Sequence, residues 1–240
     1  QVQVNLTDFS AKILDDDVVV FETRSVIGAN DEKRRSPEFS DRMEHMVVNP
    51  TWNVPRSITL GEYLPELQLD PFALSELTLI NPEGESVDRF NINFNDYTEE
   101  NFPYDLKQKP SQRNALGLVK FMFPNPHNIY LHDTPQKSLF SRDERAFSHG
   151  CIRLHQPFDF AYALLAKQTS TPKKTFQTAL DLGEENIIFL RQPVSVHIIY
   201  RTAVTGPDGR IGFRRDIYGR DAQIFAALQK AGVVITSNQG

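Results

Sequence analysis

Three consecutive aspartates, Asp15-Asp16-Asp17, split two β-prone runs at residues 9–14 and 18–27. Charged turn residues between β-branched segments predict a hairpin, and a hairpin this early commits the chain to a sheet. Other segments agree. Val2-Gln3-Val4-Asn5-Leu6 alternates with period two, the spacing of a half-buried strand. Strand character returns at residues 46–48, 116–123, 128–132, 186–190 and 194–200, and Gly206-Pro207-Asp208-Gly209 predicts another hairpin turn. Helices are few. One is expected within residues 57–67, where Thr59 and Glu62 have capping-box spacing. Others are Pro157 leading residues 158–166, a short one at 173–182, and an amphipathic one at 221–230. The expected fold class is mainly β with a few helices.

Two stretches break this pattern. Residues 29–42 are charged and contain Pro37, which predicts a solvated loop. Residues 68–115 are rich in Pro, Asn, Asp and Glu, with prolines at 71, 82, 103 and 110. Residues 58–115 therefore read as an insertion, either a lid or a plain surface excursion. A connection this long is uncommon without a role.

Bulk properties exclude several classes. A net charge of −5 at pH 7 disfavours a groove for nucleic acid, whose binding needs clustered cations. No apolar run approaches the 18 residues of a membrane-spanning helix. The chain opens on Gln1 and has no charged n-region. That predicts an excised fragment, with any signal or membrane anchor in a preceding N-terminal part. With one cysteine, an internal disulfide is impossible.

That cysteine lies in Ser148-His149-Gly150-Cys151-Ile152-Arg153, nineteen positions after His132. Three readings fit these residues. In the first, Cys151 is a nucleophile, His132 its base, and backbone N–H groups near Gly150 and Cys151 hold an oxyanion. His132 then needs an acceptor for its other nitrogen, and Asp133 is nearest in sequence, through its carbonyl or its side chain. In the second, His132, His149, Cys151 and His155 are zinc ligands, at a spacing uncommon for structural zinc. In the third, Cys151 is a small buried hydrophobe of a non-catalytic binding module.

These residues resemble the signature of the YkuD-type L,D-transpeptidase catalytic domain: a histidine, a loop, then Ser/Thr-His-Gly-Cys, an apolar residue and Arg or Asn. Residues 47–55, Asn114-Ala115-Leu116-Gly117, Lys120-Phe121 and residues 129–135 resemble the large Gram-negative branch typified by YcbB, as do Ser138-Leu139-Phe140 and Arg142-Asp143. The resemblance implies a β-sandwich catalytic domain with an inserted capping subdomain. Its discontinuous halves would be 1–57 and 116–220, the cap 58–115, and a C-terminal helix and tail 221–240. It implies a periplasmic enzyme forming 3→3 cross-links between diaminopimelate residues of peptidoglycan stem peptides. D-Ala would leave, a thioester would form on Cys151, and carbapenems would acylate the same thiol. An L,D-carboxypeptidase or a lipoprotein-linking enzyme would use the same fold. No cofactor and no metal are expected.

Site roles follow from the same resemblance. Cys151 is the expected nucleophile and His132 the base; His149 shapes the pocket, and Gly150 presents the cysteine. Ser148 holds the turn or has no special part. Arg153 pairs with a substrate carboxylate or pins the loop. Tyr130, two residues before His132, shares its strand face. Asp133, Trp52 and Asn49 are expected to bind substrate or shape the groove.

Overall fold

Strand β1 (Val2–Asn5) runs antiparallel to β2 (Ser10–Asp15), and β2 turns into β3 (Val18–Gly28). The turn residues Asp16 and Asp17 have φ of 47° and 64°. Two successive left-handed residues match the right-handed twist of the flanking strands, and aspartate tolerates that region. The structure is a computed structural model and describes residues 1–206 and 208–233. Next come β4 (Phe39–Val48), β5 (Trp52–Asn53) and a helical stretch. The stretch comprises α1 (Arg56–Ile58), a π-helical segment Thr59–Tyr63 and α2 (Leu64–Leu69).

Short strands follow: β6 (Leu77–Ile80), β7 (Ser86–Val87), β8 (Asp105–Gln108), β9 (Val119–Met122), β10 (Leu131–His132), β11 (Ala146–Ser148) and β12 (Ile152–Leu154). The chain continues through α3 (Pro157–Ala166), α4 (Pro172–Asp181) and β13 (Asn186–Ile199). It then forms β14 (Ala203–Thr205), β15 (Ile211–Phe213) and α5 (Arg220–Lys230).

Nine strands form one sheet in the order β11-β3-β12-β10-β9-β4-β13-β1-β2, and β2 also pairs with β3. The sheet thus closes on itself, and its opposed halves enclose one apolar core. Val2, Val4, Met46, Phe121, Leu131, Ile152 and Val196 are at most 1 % exposed within it. Each such side chain contributes about 1.5–3 kcal/mol by leaving water. Helix α3 adds Pro157, Phe160, Ala161, Leu164 and Leu165 to this core. Their i, i+3, i+4, i+7, i+8 spacing is one helical face. Phe160 meets Phe121 edge-on at 4.9 Å between ring centroids.

A second sheet, β5-β8-β6-β7, has its own core of Trp52, Leu64, Leu67, Leu79, Phe94, Phe102 and Leu106 among others. Ring-on-ring contacts link Phe94, Phe102, Tyr97 and Tyr104. Residues 68–115, weakly periodic in sequence, are thus packed around aromatic side chains.

The structure corrects several sequence expectations. The strand expected at residues 46–48 is ten residues long and begins at Phe39, inside the predicted loop. Its outward Ser40, Arg42 and Glu44 gave it the polarity of a loop, yet Met43 between them is fully buried. The two strands expected at 186–190 and 194–200 are one, β13, whose pairing with β4 shifts register between Phe189 and Val194. Pro193 sits in that irregularity, where a missing N–H costs no ladder bond. Thr59 caps nothing; it lies inside the helical stretch, which starts after Pro55. The hairpin at 206–209 is present as β14–β15, closed by a Gly206 N–H to Arg210 carbonyl bond of 2.8 Å, with Pro207 outside the described residues.

Candidate active site

Strands β10 and β12 are parallel neighbours, with Leu131 opposite Ile152 and His132 opposite Arg153. Side chains alternate along a strand, and opposed residues share a face. Leu131 and Ile152 point into the core and are fully buried. Tyr130, His132, Cys151 and Arg153 therefore share the opposite face. All four line one cavity of about 1160 Å³. Trp52, Ile58, Leu60 and Tyr63, from β5 and the helical stretch, line the same cavity. It lies between the closed sheet and the second core.

Cys151 is half-buried and unpaired. Its Sγ lies 3.7 Å from the Asn128 carbonyl oxygen, to which the thiol donates. Burial pushes the thiol pKa up to about 11; Tyr130, through backbone and side chain, and the Arg153 guanidinium pull the other way. Desolvation wins, so the resting group is a thiol. His132 is 4 % exposed. Its Nδ1 is 2.5 Å from the Asp133 carbonyl oxygen. A carbonyl only accepts, so Nδ1 carries the proton and Nε2 is the basic nitrogen. Burial, with Arg153 nearby, lowers the His132 pKa to about 3, against contacts with the backbone of Asp133 and Leu116. The resting pair is a neutral thiol and a neutral imidazole. Among the described residues no hydrogen bond joins them; the Tyr130 ring lies 5.7 Å from the His132 ring between centroids.

The turn that presents Cys151 is tightly built. Gly150 has φ of +111°, and a Cβ there would press on Ile129 Cδ1 at 2.9 Å. Ser148 Oγ accepts from Gly150 N–H at 3.1 Å and donates to the Cys151 carbonyl at 2.6 Å. Ser148 is therefore the brace of the turn. His149 is exposed; its Nε2 is 2.7 Å from Glu62 Oε1. The same oxygen accepts from Arg34 Nη2 at 2.5 Å. Glu62 lies in the π-helical segment Thr59–Tyr63, an irregularity that recurs at functional sites. Arg153 is held by Gln136, Nη1 to Oε1 2.6 Å, while its buried Nε has no partner among the described residues.

Two expected site residues lie elsewhere. Asn49 does not reach the cavity; its amide donates to the Leu180 carbonyl at 2.9 Å and ties down the end of α4. The Asp133 side chain also turns away. It accepts from Thr134 N–H at 2.7 Å, Leu118 N–H at 2.9 Å and Lys137 Nζ at 2.6 Å. Only its backbone carbonyl serves His132. Trp52 does line the cavity, edge-on to Tyr63 at 6.2 Å. Glu62, Arg34, Tyr63 and Gln136 also belong to the site: in sequence Glu62 shows only a capping spacing, and nothing local marks the other three. Among the described residues no group of three His, Cys, Asp or Glu could hold a metal ion. His155 is drawn to Arg24, 3.4 Å away, and packs on Phe140.

The chain is similar to several known proteins. A protein of Haemophilus influenzae, named "Putative L,D-transpeptidase", is 32 % identical over 223 residues, covering 92 % of this chain and 44 % of that protein. The chain thus spans less than half the length of this curated relative. Among solved structures, an L,D-transpeptidase from Mycobacterium smegmatis aligns over 82 % of this chain and 57 % of its own, at 14 % identity and a TM-score of 0.36. The structure of LD transpeptidase LdtMt1 in complex with imipenem aligns over the same shares, at 12 % identity and a TM-score of 0.34. The family model for the YkuD L,D-transpeptidase catalytic domain matches residues 1–175. The chain belongs to the YkuD family of L,D-transpeptidase catalytic domains.

Proposed function

We propose that this domain forms 3→3 cross-links in peptidoglycan through a thioester on Cys151. The observation that carries the reading is the shared face of β10 and β12: Cys151 and His132 line one cavity, and the His132 tautomer leaves Nε2 as a base. His132 takes the thiol proton as sulfur adds to the carbonyl of diaminopimelate in a tetrapeptide stem. The C–S bond forms, and the carbonyl π pair moves onto oxygen. When that pair returns, the C–N bond breaks, and His132 gives its proton to the departing D-Ala amine. The side-chain amine of a second stem then attacks the thioester and restores the thiol. No hydrogen bond joins Cys151 and His132 among the described residues, and catalytic hydrogen bonds often close only once substrate is bound.

Residues 58–115 act as a cap in this reading. The Glu62 contacts support it, because His149 joins the helical stretch to the turn that carries Cys151 and Arg34 joins it to the segment between β3 and β4. The enzyme belongs to the large Gram-negative branch typified by YcbB and works in the periplasm on stem peptides, with carbapenems as inhibitors. Intact-mass spectrometry after incubation with imipenem tests the thioester chemistry. One adduct on wild type and none on Cys151→Ala is expected; an unmodified wild type would overturn the reading. Product masses from purified muropeptides distinguish an amine acceptor from water.

A further inference from the structure

Packed against the Cys151 turn, and not lining the cavity, lies a buried polar chain. Ser36 is fully buried, and its Oγ donates to the Gly150 carbonyl at 2.6 Å. The same Oγ accepts from Gly28 N–H at 2.9 Å. Ser36 N–H donates to the Tyr218 hydroxyl at 3.2 Å, and that hydroxyl donates to the Gly28 carbonyl at 2.7 Å. Tyr218 is itself fixed, stacked on Tyr200 at 5.7 Å with Arg220 over its ring at 5.2 Å. Neither Ser36 nor Tyr218 lines the cavity. Tyr218 lies beyond residues 1–175, which carry the family match.

We propose that Ser36 and Tyr218 are positioning residues that aim the Cys151 N–H as an oxyanion donor. In a trans peptide the C=O and the following N–H point in opposite directions. Ser36 holds the Gly150 carbonyl toward the protein interior, so the Cys151 N–H of that peptide faces the cavity. None of the described hydrogen bonds uses this N–H. Gly150, at φ +111°, lacks the β-carbon that would resist rotation of the peptide. The tether from Ser36 replaces that missing restraint. When sulfur bonds to a carbonyl carbon and the π pair moves onto oxygen, the donor is already in place, at no cost in reorganisation.

This inference rests on the acyl-transfer reading, and its test separates the two. Acylation by imipenem passes through an oxyanion; alkylation by iodoacetamide displaces iodide from carbon and does not. Ser36→Ala is expected to slow the chemical step of acylation about 10- to 100-fold, somewhat less than outright removal of an oxyanion donor. Its non-covalent imipenem affinity and iodoacetamide rate are expected to stay at wild-type values. Tyr218→Phe keeps the ring stack, loses the hydroxyl, and is expected to give a smaller drop of the same kind; it carries the test should Ser36→Ala not fold. Wild-type acylation in both variants would overturn the tether, as would a parallel fall in acylation and alkylation. A wild type that imipenem leaves unmodified would overturn the acyl-transfer reading, and this inference with it.

Discussion

His132 donates its Nδ1 proton to the backbone carbonyl of Asp133 at 2.5 Å, so this imidazole is held by main chain, not by a carboxylate. A carboxylate on Nδ1 would hold the imidazole pKa up; here burial dominates and lowers it to about 3. The first prediction is a pH profile. Cys151 has its pKa pushed up to about 11, so its thiolate fraction rises about tenfold per pH unit from pH 6 to 10. Iodoacetamide alkylation of the free protein should follow that slope without levelling near pH 9. Protonation of His132 falls near pH 3, so no inflection is expected between pH 5 and 7. A bell centred near neutrality would instead report a thiolate–imidazolium pair.

Asp133 contributes to the loop through its side chain, and this can be separated from its carbonyl. Its carboxylate accepts from two backbone N–H groups and from Lys137. Asp133→Ala leaves the buried Thr134 N–H and the half-buried Leu118 N–H short of an acceptor, at about 1–3 kcal/mol for each buried donor left unpaired. Gly117, at φ +62°, packs its Cα against the same side chain, and an added Cβ would overlap the carboxylate. Gly117→Ala should therefore destabilise as much as Asp133→Ala or more. Chemical denaturation of both variants measures this. The double variant should be less destabilised than the sum, because the clash disappears with the carboxylate.

How much of this was legible in the sequence depended on the range of the interactions. Helix α3 was readable because Pro157 marks its start and its buried residues repeat at helical spacing. The hairpin around Asp16-Asp17 was readable because the turn chemistry is local. The Cys151–His132 relation was readable as a motif, while the face they share follows from the pairing of Leu131 with Ile152. Strand β4 was half-hidden because its solvent face is charged. Ser36 lay in a stretch read as a solvated loop, yet it is fully buried and bonded to Gly150, 114 residues away. No local pattern carries such a contact.

Glu62 offers a prediction in which stability and function separate. Its pairs with His149 and Arg34 are about one-third exposed, with side-chain exposures of 34–41 %. Exposed pairs contribute about 0–1 kcal/mol, so Glu62→Ala should barely alter global stability. Its effect should appear locally, as faster amide hydrogen exchange across residues 56–69 and in the 148–151 turn. The KM for a peptidoglycan fragment, the proposed substrate, should rise more than kcat falls. Unchanged exchange in both segments would show that the contact does not couple them.

Arg153 yields the last prediction, and its sign runs against the usual expectation for a half-buried charge. The guanidinium is held by Gln136, its buried Nε has no partner among the described residues, and burial lowers its own pKa. A desolvated, incompletely paired charge is not a source of stability, and replacing one by an apolar side chain of similar volume is often neutral or stabilising. Arg153→Met should therefore melt at or above the wild-type temperature. The same charge lowers the Cys151 pKa against the pull of burial. Its removal shifts the thiol further up, so alkylation at pH 8 should slow and its pH profile move to the alkaline side. It also relieves His132, whose pKa Arg153 holds down, so the imidazole should titrate higher by NMR. Opposite shifts for Cys151 and His132 would contradict the assignment, because one positive charge must move both pKa values in the same direction.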